Sequence, residues 1–211
     1  MRTLPELLQN VAVVRTAGEA ARPVGGLAYD SRAVEPGDLF VCLKGFATDG
    51  HRFVGEALAR GATAVVCQVN NAVMLPSLGS AALVEVADSR VALAELSCEF
   101  FGHPSRELKL FGVTGTNGKT TTAAMVARVF ESAGIPSASL GTLGIRVGEQ
   151  TSALSRTTPE APDLQGALRG LVDDGIRAVC MEVSSHALSL HRVRGCAFDA
   201  AVFTNLTRDH L

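Results

Sequence analysis

The sequence has no surplus of positive charge: 19 lysines and arginines face 21 aspartates and glutamates. That balance leaves no basic face to attract nucleic acid and no polybasic block for a membrane surface. It also lacks long apolar runs. None approaches the ~20 residues of a membrane span. The opening "MRTLPELLQNVAVV" has a proline and an acidic residue where a signal peptide needs an unbroken apolar core, so a cytoplasmic protein is expected. The five cysteines (Cys42, Cys67, Cys98, Cys180 and Cys196) show no CxxC pairing. They read as small buried hydrophobes in a reducing compartment, not as disulfides or a zinc site. There is no internal repeat and no low-complexity tract.

What is present is a chain of 211 residues, 47% hydrophobic and 19% charged, enough for one or two compact domains with a real core. Short apolar runs alternate with helical patterns. In the first part, "VGGLAYDSR", "PGDLFVCLKG", "TAVVCQV" and "AALVEV" predict strands. "HRFVGEALARG" predicts a short helix ending at Gly61. "DSRVALAELSCEFFGHPS" predicts another, with Asp88 as N-cap and Gly102 and Pro104 as its close.

A second unit is expected from Ser105. "LKLFGVTG" is a β run leading into a glycine-rich loop. After it, Val126, Val129, Phe130 and Ala133 fall at i, i+3, i+4, i+7, predicting one buried helix face with Gly134 as the stop. "IPSASLGTLG", "IRAVCMEV" and "FDAAVFTNL" predict further strands. "PDLQGALRGLVDDG" predicts a helix with Leu164, Leu168, Leu171 and Val172 on one face. Strand–helix–strand alternation with apolar strands implies an α/β fold whose parallel sheets are covered on both faces.

The chemistry concentrates in the second unit. A strand, then "GTNGKTT", then a helix is a phosphate-binding arrangement. Gly115 and Gly118 allow a tight turn with N–H groups pointing inward at an anion. The helix N-terminus adds its dipole, Lys119 a positive charge, and Thr120 a hydroxyl placed for Mg²⁺. The string departs from G-x-x-x-x-G-K-[ST], with Val113 where the first glycine would stand, so an ordinary glycine-rich turn is the alternative. Glu182 falls at the carboxyl end of a strand, where open α/β sheets place ligands. It is either a Mg²⁺ carboxylate or an N-cap for the following helix. Ser184, Ser185 and His186 are either caps or part of that site. Asn205, Asp209 and His210 fall at the carboxyl edge of the next strand, His210 being a metal ligand or a plain surface histidine. Arg156, Thr157 and Thr158 precede a helix and either cap it or hold an anionic group.

Five stretches together carry a resemblance: "DSRAVEPGDLFVCLKGFATDGHRF", "GVTGTNGKTTT", "TTPEAPDLQ", "MEVSSHALSLHRV" and "FTNLTRDHL". They resemble the Mur ligases, most closely the MurE subfamily, the UDP-N-acetylmuramoyl-L-alanyl-D-glutamate ligases of peptidoglycan synthesis. The resemblance implies a small UDP-muramoyl-binding domain over residues 1–104 and an incomplete P-loop ATPase domain over 105–211. It implies ATP phosphorylating a substrate carboxylate, and an amine then attacking the acyl phosphate to give an amide, ADP and phosphate. By the same resemblance, Gly115, Thr116, Asn117, Gly118, Lys119, Thr120 and Thr121 cradle ATP. Lys119, Glu182 and His210 are catalytic, and Thr120, Glu182 and His210 hold Mg²⁺. Tyr29, Ser31, Phe46, Ala47 and Thr48 match the uridine-nucleotide pocket. Arg156, Thr157, Thr158, Ser184, Leu190 and Arg192 match positions that grip the muramoyl dipeptide. Arg156 stands where some members have asparagine, and Leu190 where some have glutamine.

The resemblance also implies more chain than "FTNLTRDHL" provides: a carbamoylated lysine, the rest of the ATPase sheet, and a domain that binds the incoming diamino acid. The expectation is therefore an N-terminal fragment, inactive alone, whose last strand exposes apolar surface; the whole enzyme would be a monomer. The "TTPEAPDLQ" stretch resembles members that use meso-diaminopimelate, expected here ahead of L-lysine. Three other readings stand beside this one: a MurF-like ligase accepting a muramoyl tripeptide, a UDP-muramoyl binding module without catalysis, and a regulatory P-loop NTPase. The "DSR…PGDLF…DGHRF" stretch argues against the last.

Overall fold

The structure, a computed structural model, describes residues 2–19, 22–45, 48–69, 71 and 75–207. Four residues singled out above, Phe46, Ala47, Asp209 and His210, lie outside the described residues. The chain divides into two compact units, 1–100 and 101–211.

The first unit begins with β1 (Arg2–Thr3) and α1 (Leu4–Leu7), followed by β2 (Val13–Ala17), β3 (Pro23–Val24), β4 (Leu27–Ala28) and β5 (Leu39–Val41). Then come α2 (Val54–Ala59), β6 (Ala64–Gln68), β7 (Ala82–Val86) and α3 (Ser89–Phe101). Five strands form one sheet in the order β2-β7-β6-β5-β4. All neighbours are parallel except β2, which runs antiparallel to β7. Alternation along β5 sorts the two faces. Leu39 and Val41 pack with Leu7, Leu93 and Leu96, so α1 and α3 cover one side. Phe40 and Cys42 pack with Val54 and Ala57, so α2 covers the other. The Asp88 carboxylate accepts the amides of Arg90 and Val91, at 2.8 and 3.2 Å, and starts α3 as its residue type predicts.

The second unit contains β8 (Lys109–Thr114), α4 (Lys119–Ser132), β9 (Ser137–Gly141), β10 (Gly144–Val147), β11 (Gln150–Ser152), α5 (Ala161–Asp173), β12 (Ala178–Glu182), α6 (Ser185–Ser189) and β13 (Ala200–Phe203). The sheet order is β11-β10-β9-β12-β8-β13. The four strands β9, β12, β8 and β13 are parallel. Leu110, Leu140, Val179 and Met181 face Leu164, Leu168 and Leu171 of α5. Val113 and Cys180 face Ala123 and Val126 of α4.

Two expectations are corrected. The run "IPSASLGTLG" supplies β9 over Ser137–Gly141, as expected, but the strand does not continue to Gly144. It breaks after Gly141 and returns as the antiparallel hairpin β10–β11, so the sheet is mixed. The polar sequence of β11 suits an exposed edge, not a strand buried on both faces. The inward face of α4 keeps Val126 and Phe130 but not Val129 and Ala133. Val129 is 67% exposed, and Ala123 is the helix's buried residue among those described. Ala123, Val126 and Phe130 lie at i, i+3, i+7, with Phe130 against Phe111 at 5.1 Å between ring centroids. The stripe therefore begins one turn earlier than expected, at Ala123, and leaves out the outward-facing Val129.

Candidate functional site

The loop between β8 and α4 is built around a close approach. Gly115 has φ 132°, and a Cβ there would stand 2.2 Å from Thr204 Oγ1 and 2.9 Å from the Asn205 carbonyl. Only glycine fits, for reasons of both space and conformation. Gly118, at φ 85°, then turns the chain into α4 with no side-chain cap. The first intrahelical bond runs from Thr122 N to the Gly118 carbonyl at 2.9 Å. The amides of Gly118 to Thr121 are therefore the orphan donors of a helix start, the groups that bind anions. Lys119 Nζ folds back onto the Gly115 and Thr116 carbonyls at 2.7 and 2.9 Å. Its charge sits over the loop, held by acceptors that a phosphate oxygen can replace.

Beside the loop lies Glu182, the last residue of β12, paired in register with Val113 of β8. It is 2% exposed. Both carboxylate oxygens are held by Thr142, Oε1 by its amide at 2.8 Å and Oε2 by its hydroxyl at 3.2 Å. Gly141 makes this possible, since a Cβ there would stand 2.1 Å from Oε1. Glu182 and Thr120 line one small pocket together with Arg146. A carboxylate and a hydroxyl are hard oxygen donors, the type that Mg²⁺ takes. Among the described residues no cluster of three or more His, Cys, Asp or Glu is arranged around a metal position.

A hydrogen-bonded chain leads from Glu182 to the third cluster. Thr142 Oγ1 is 3.0 Å from Thr157 Oγ1. Thr158 Oγ1 donates to the Glu182 carbonyl at 2.8 Å and accepts from Ser184 N at 3.2 Å, so its hydroxyl is engaged on both sides. Ser184 caps α6 by accepting from Ala187 N at 3.2 Å. Arg192 donates to the Thr158 carbonyl at 3.0 Å and pairs with Glu160 at 2.8 Å. Arg156 reaches the same Glu160 oxygen at 2.6 Å. One buried carboxylate thus holds two guanidiniums, so the Arg156–Glu160–Arg192 cluster carries a net positive charge. Leu190 is half-buried at the end of α6.

Unit 1 holds its own candidates. Ser31 is buried, and its hydroxyl donates to Glu56 at 2.8 Å. Tyr29 packs half-buried against the core. Thr48 is exposed, its carbonyl accepting the Gly45 amide at 2.8 Å. His51 pins this turn. Its Nδ1 meets Asp49 at 2.5 Å while Nε2 accepts Gln68 N at 3.2 Å, so Nδ1 carries the proton. Burial pushes the Asp49 carboxyl up, but the hydrogen bonds from His51 outweigh it and hold it below its ordinary value.

Thr142, Glu160, Thr204 and Thr207 belong to these networks, and sequence reasoning had not singled them out. Glu160 lies inside "TTPEAPDLQ" and Thr204 and Thr207 inside "FTNLTRDHL", but only the strand order reveals what they touch.

Residues 23–101 match the family description "Mur ligase family, catalytic domain", and residues 113–211 match "Mur ligase middle domain". The chain belongs to the Mur ligase family. It is 46% identical over 208 residues to the UDP-N-acetylmuramoyl-L-alanyl-D-glutamate–2,6-diaminopimelate ligase of Geobacter sulfurreducens, covering 99% of this chain and 40% of that one. It is 49% identical over 185 residues to the ligase of the same name from Geobacillus kaustophilus, covering 88% and 37%. A solved structure of a ligase of that name superposes with a TM-score of 0.80 at 30% identity, over 100% of this chain and 41% of that one. This Mur ligase chain thus spans about 40% of the length of the curated relatives it matches. Its mixed α/β architecture is that of the Mur ligase fold, and no helix among the described residues is long and apolar enough to cross a membrane.

Proposed function

We propose that the chain supplies the UDP-muramoyl-binding and ATP-binding parts of a MurE-type ligase. That ligase joins a diamino acid, meso-diaminopimelate ahead of L-lysine, to UDP-N-acetylmuramoyl-L-alanyl-D-glutamate. The observation that carries this reading is the Thr142 bridge. It joins Glu182, beside the phosphate loop, to Thr157, beside the paired arginines, so a phosphate site and an acid-accepting site share one hydrogen-bonded network. Phosphoryl transfer needs positioning and charge neutralisation more than covalent chemistry by the protein.

In this reading the amides of Gly118 to Thr121 hold the ATP phosphates, with Gly115, Thr116 and Asn117 shaping the loop. Lys119 leaves its two carbonyls and turns to the transferring phosphoryl group. Arg192, oriented by Glu160, and Arg156 with Thr157 draw in the acidic peptide end. Thr158, Ser184 and Leu190 form the floor behind them. The substrate carboxylate oxygen attacks the γ-phosphorus and ADP leaves. The amine then attacks the acyl carbon and phosphate leaves. Mg²⁺ when bound neutralises phosphate charge, and Thr120, Glu182 and His210 are the residues to hold it. Tyr29, Ser31 and Thr48, with Phe46 and Ala47, take the uridine nucleotide. The amine-binding part and the remaining catalytic groups belong to sequence that the longer relatives have. The reaction is a cytoplasmic step of peptidoglycan synthesis, and residues 1–104 and 105–211 are its two functional domains.

Titration calorimetry tests this with two ligands, UDP-N-acetylmuramoyl-L-alanyl-D-glutamate and magnesium ATP. Both are expected to bind, with turnover requiring in addition the segments that the longer relatives have. Binding of the muramoyl tripeptide in preference to the dipeptide would point to a MurF-type ligase. Binding of the uridine nucleotide without ATP would leave a binding module.

A further inference from the structure

The segment after β13 grips the phosphate loop more tightly than its exposure suggests. The Asn205 side chain reads both backbone groups of Asn117: Oδ1 accepts the Asn117 amide at 3.1 Å, and Nδ2 donates to the Asn117 carbonyl at 3.2 Å. Thr204 Oγ1 donates to the same carbonyl at 2.6 Å. The Asn205 carbonyl accepts the Thr116 amide at 3.1 Å. Thr116 Oγ1 and the Thr207 backbone complete the contact, with bonds of 3.0 and 3.1 Å. The absent Cβ of Gly115 is what lets Thr204 come this close.

These bonds divide the loop's donors into two sets. The amides of Thr116 and Asn117 are occupied and point at residues 204–207. The amides of Gly118 to Thr121 have no partner among the described residues and open the helix. A phosphate-binding nest works only if its free N–H groups converge, and that convergence is fixed by where the occupied ones are tied.

Resting on the ATP-binding reading above, we propose that Asn205, assisted by Thr204, is a positioning residue for nucleotide binding. It ties Thr116 and Asn117 away from the anion and leaves Gly118 to Thr121 as the set that holds the phosphates. The tie also makes the loop and residues 204–207 one unit, so nucleotide binding orders both.

The test uses the 211-residue chain, with Asn205→Ala, Thr204→Val, its conservative partner Thr204→Ser, and Leu206→Ala as control. Leu206 is 83% exposed, and its replacement reports general loosening of the segment. Asn205→Ala loses two hydrogen bonds and is expected to weaken magnesium ATP binding by about tenfold or more. Thr204→Val is expected to weaken it less, with Thr204→Ser restoring it and Leu206→Ala leaving it unchanged. Hydrogen exchange without nucleotide is the second measurement: Asn205→Ala should speed exchange at the Asn117 amide, which loses its side-chain acceptor, and less at Thr116, whose acceptor is the retained backbone carbonyl, with the thermal midpoint unmoved. Wild-type ATP affinity in Asn205→Ala overturns the proposal, and so does equal weakening by Leu206→Ala. If the unaltered chain binds no ATP, the nucleotide reading fails by itself. The exchange result then decides the tie alone: unchanged exchange at Asn117 overturns it, and faster exchange supports it.

Discussion

The two long helices of the second unit, α4 and α5, contact the same sheet and do opposite work. Helix α5 buries Leu164, Leu168, Leu171 and Val172 on one stripe, has Pro162 in its first turn, and lies over Leu110, Leu140 and Met181. Helix α4 buries Ala123 alone among the described residues, leaves Met125 and Val129 out, and starts without a cap. The face under α5 is filled by apolar side chains, while the face under α4 ends in Glu182 and the phosphate loop. Packing and ligand binding want different helices. One needs its apolar stripe filled, and the other needs its first amides unsatisfied.

Four measurements break or sharpen this contrast. The largest effect is expected on the face under α5, where Leu168→Ala should cost about 2–5 kcal/mol in denaturant unfolding. A cost near zero would mean that α5 does not anchor the unit. On the other face, Gly141→Ala forces a methyl group onto Glu182 and should cost about 1–3 kcal/mol. Its crystal structure should show the Thr142 bonds to the carboxylate broken. At the sheet's far side Asp199 gives a smaller effect that depends on pH. The Leu110 amide, at 2.9 Å, and the Lys109 ammonium, at 3.1 Å, hold its carboxyl below the ordinary value of 3.8. A depressed carboxyl stabilises the fold above its unfolded-state value and loses that contribution as pH falls through the folded one. Below about pH 4 the Leu110 amide should therefore lose protection, read as its exchange relative to the intrinsic rate at each pH, and Asp199→Asn should remove that loss. The smallest effect belongs to α4's outer surface: Met125→Ala should change stability by no more than about 0.5 kcal/mol. A larger loss would show that this surface is covered in solution.

Much of the fold was legible in the sequence because its strands are short apolar runs and its long helices α3, α4 and α5 are closed by Gly102, Gly134 and Gly175. Helix α5 is the clearest case, since Leu164, Leu168, Leu171 and Val172 fall where the period puts them. Helix α4 misled because its apolar residues are not confined to one face, and Val129 fits the period while facing outward. The hairpin β10–β11 was missed because "GIRVGEQTS" is too short and polar to announce a strand pair. In the candidate site, Lys119, Thr120 and Glu182 were visible as residue types at fixed offsets from a strand end. Thr142 and Glu160 were not, because their meaning lies in partners 40 and 32 residues away, namely Glu182 and Arg192. Such a partnership becomes readable only once the strand order places those chain ends side by side.

The edges of the second sheet differ. On one side β11 presents Gln150, Thr151 and Ser152. On the other, β13 is paired on one side only among the described residues, with Val202 and Phe203, the latter 61% exposed, standing off it. As a template for further strands, the sheet has a direction. Recruitment is favoured at β13 and discouraged at β11, where nothing greasy rewards a newcomer. Val202→Lys would act as a gatekeeper, placing a charge on that edge and discouraging further strands there.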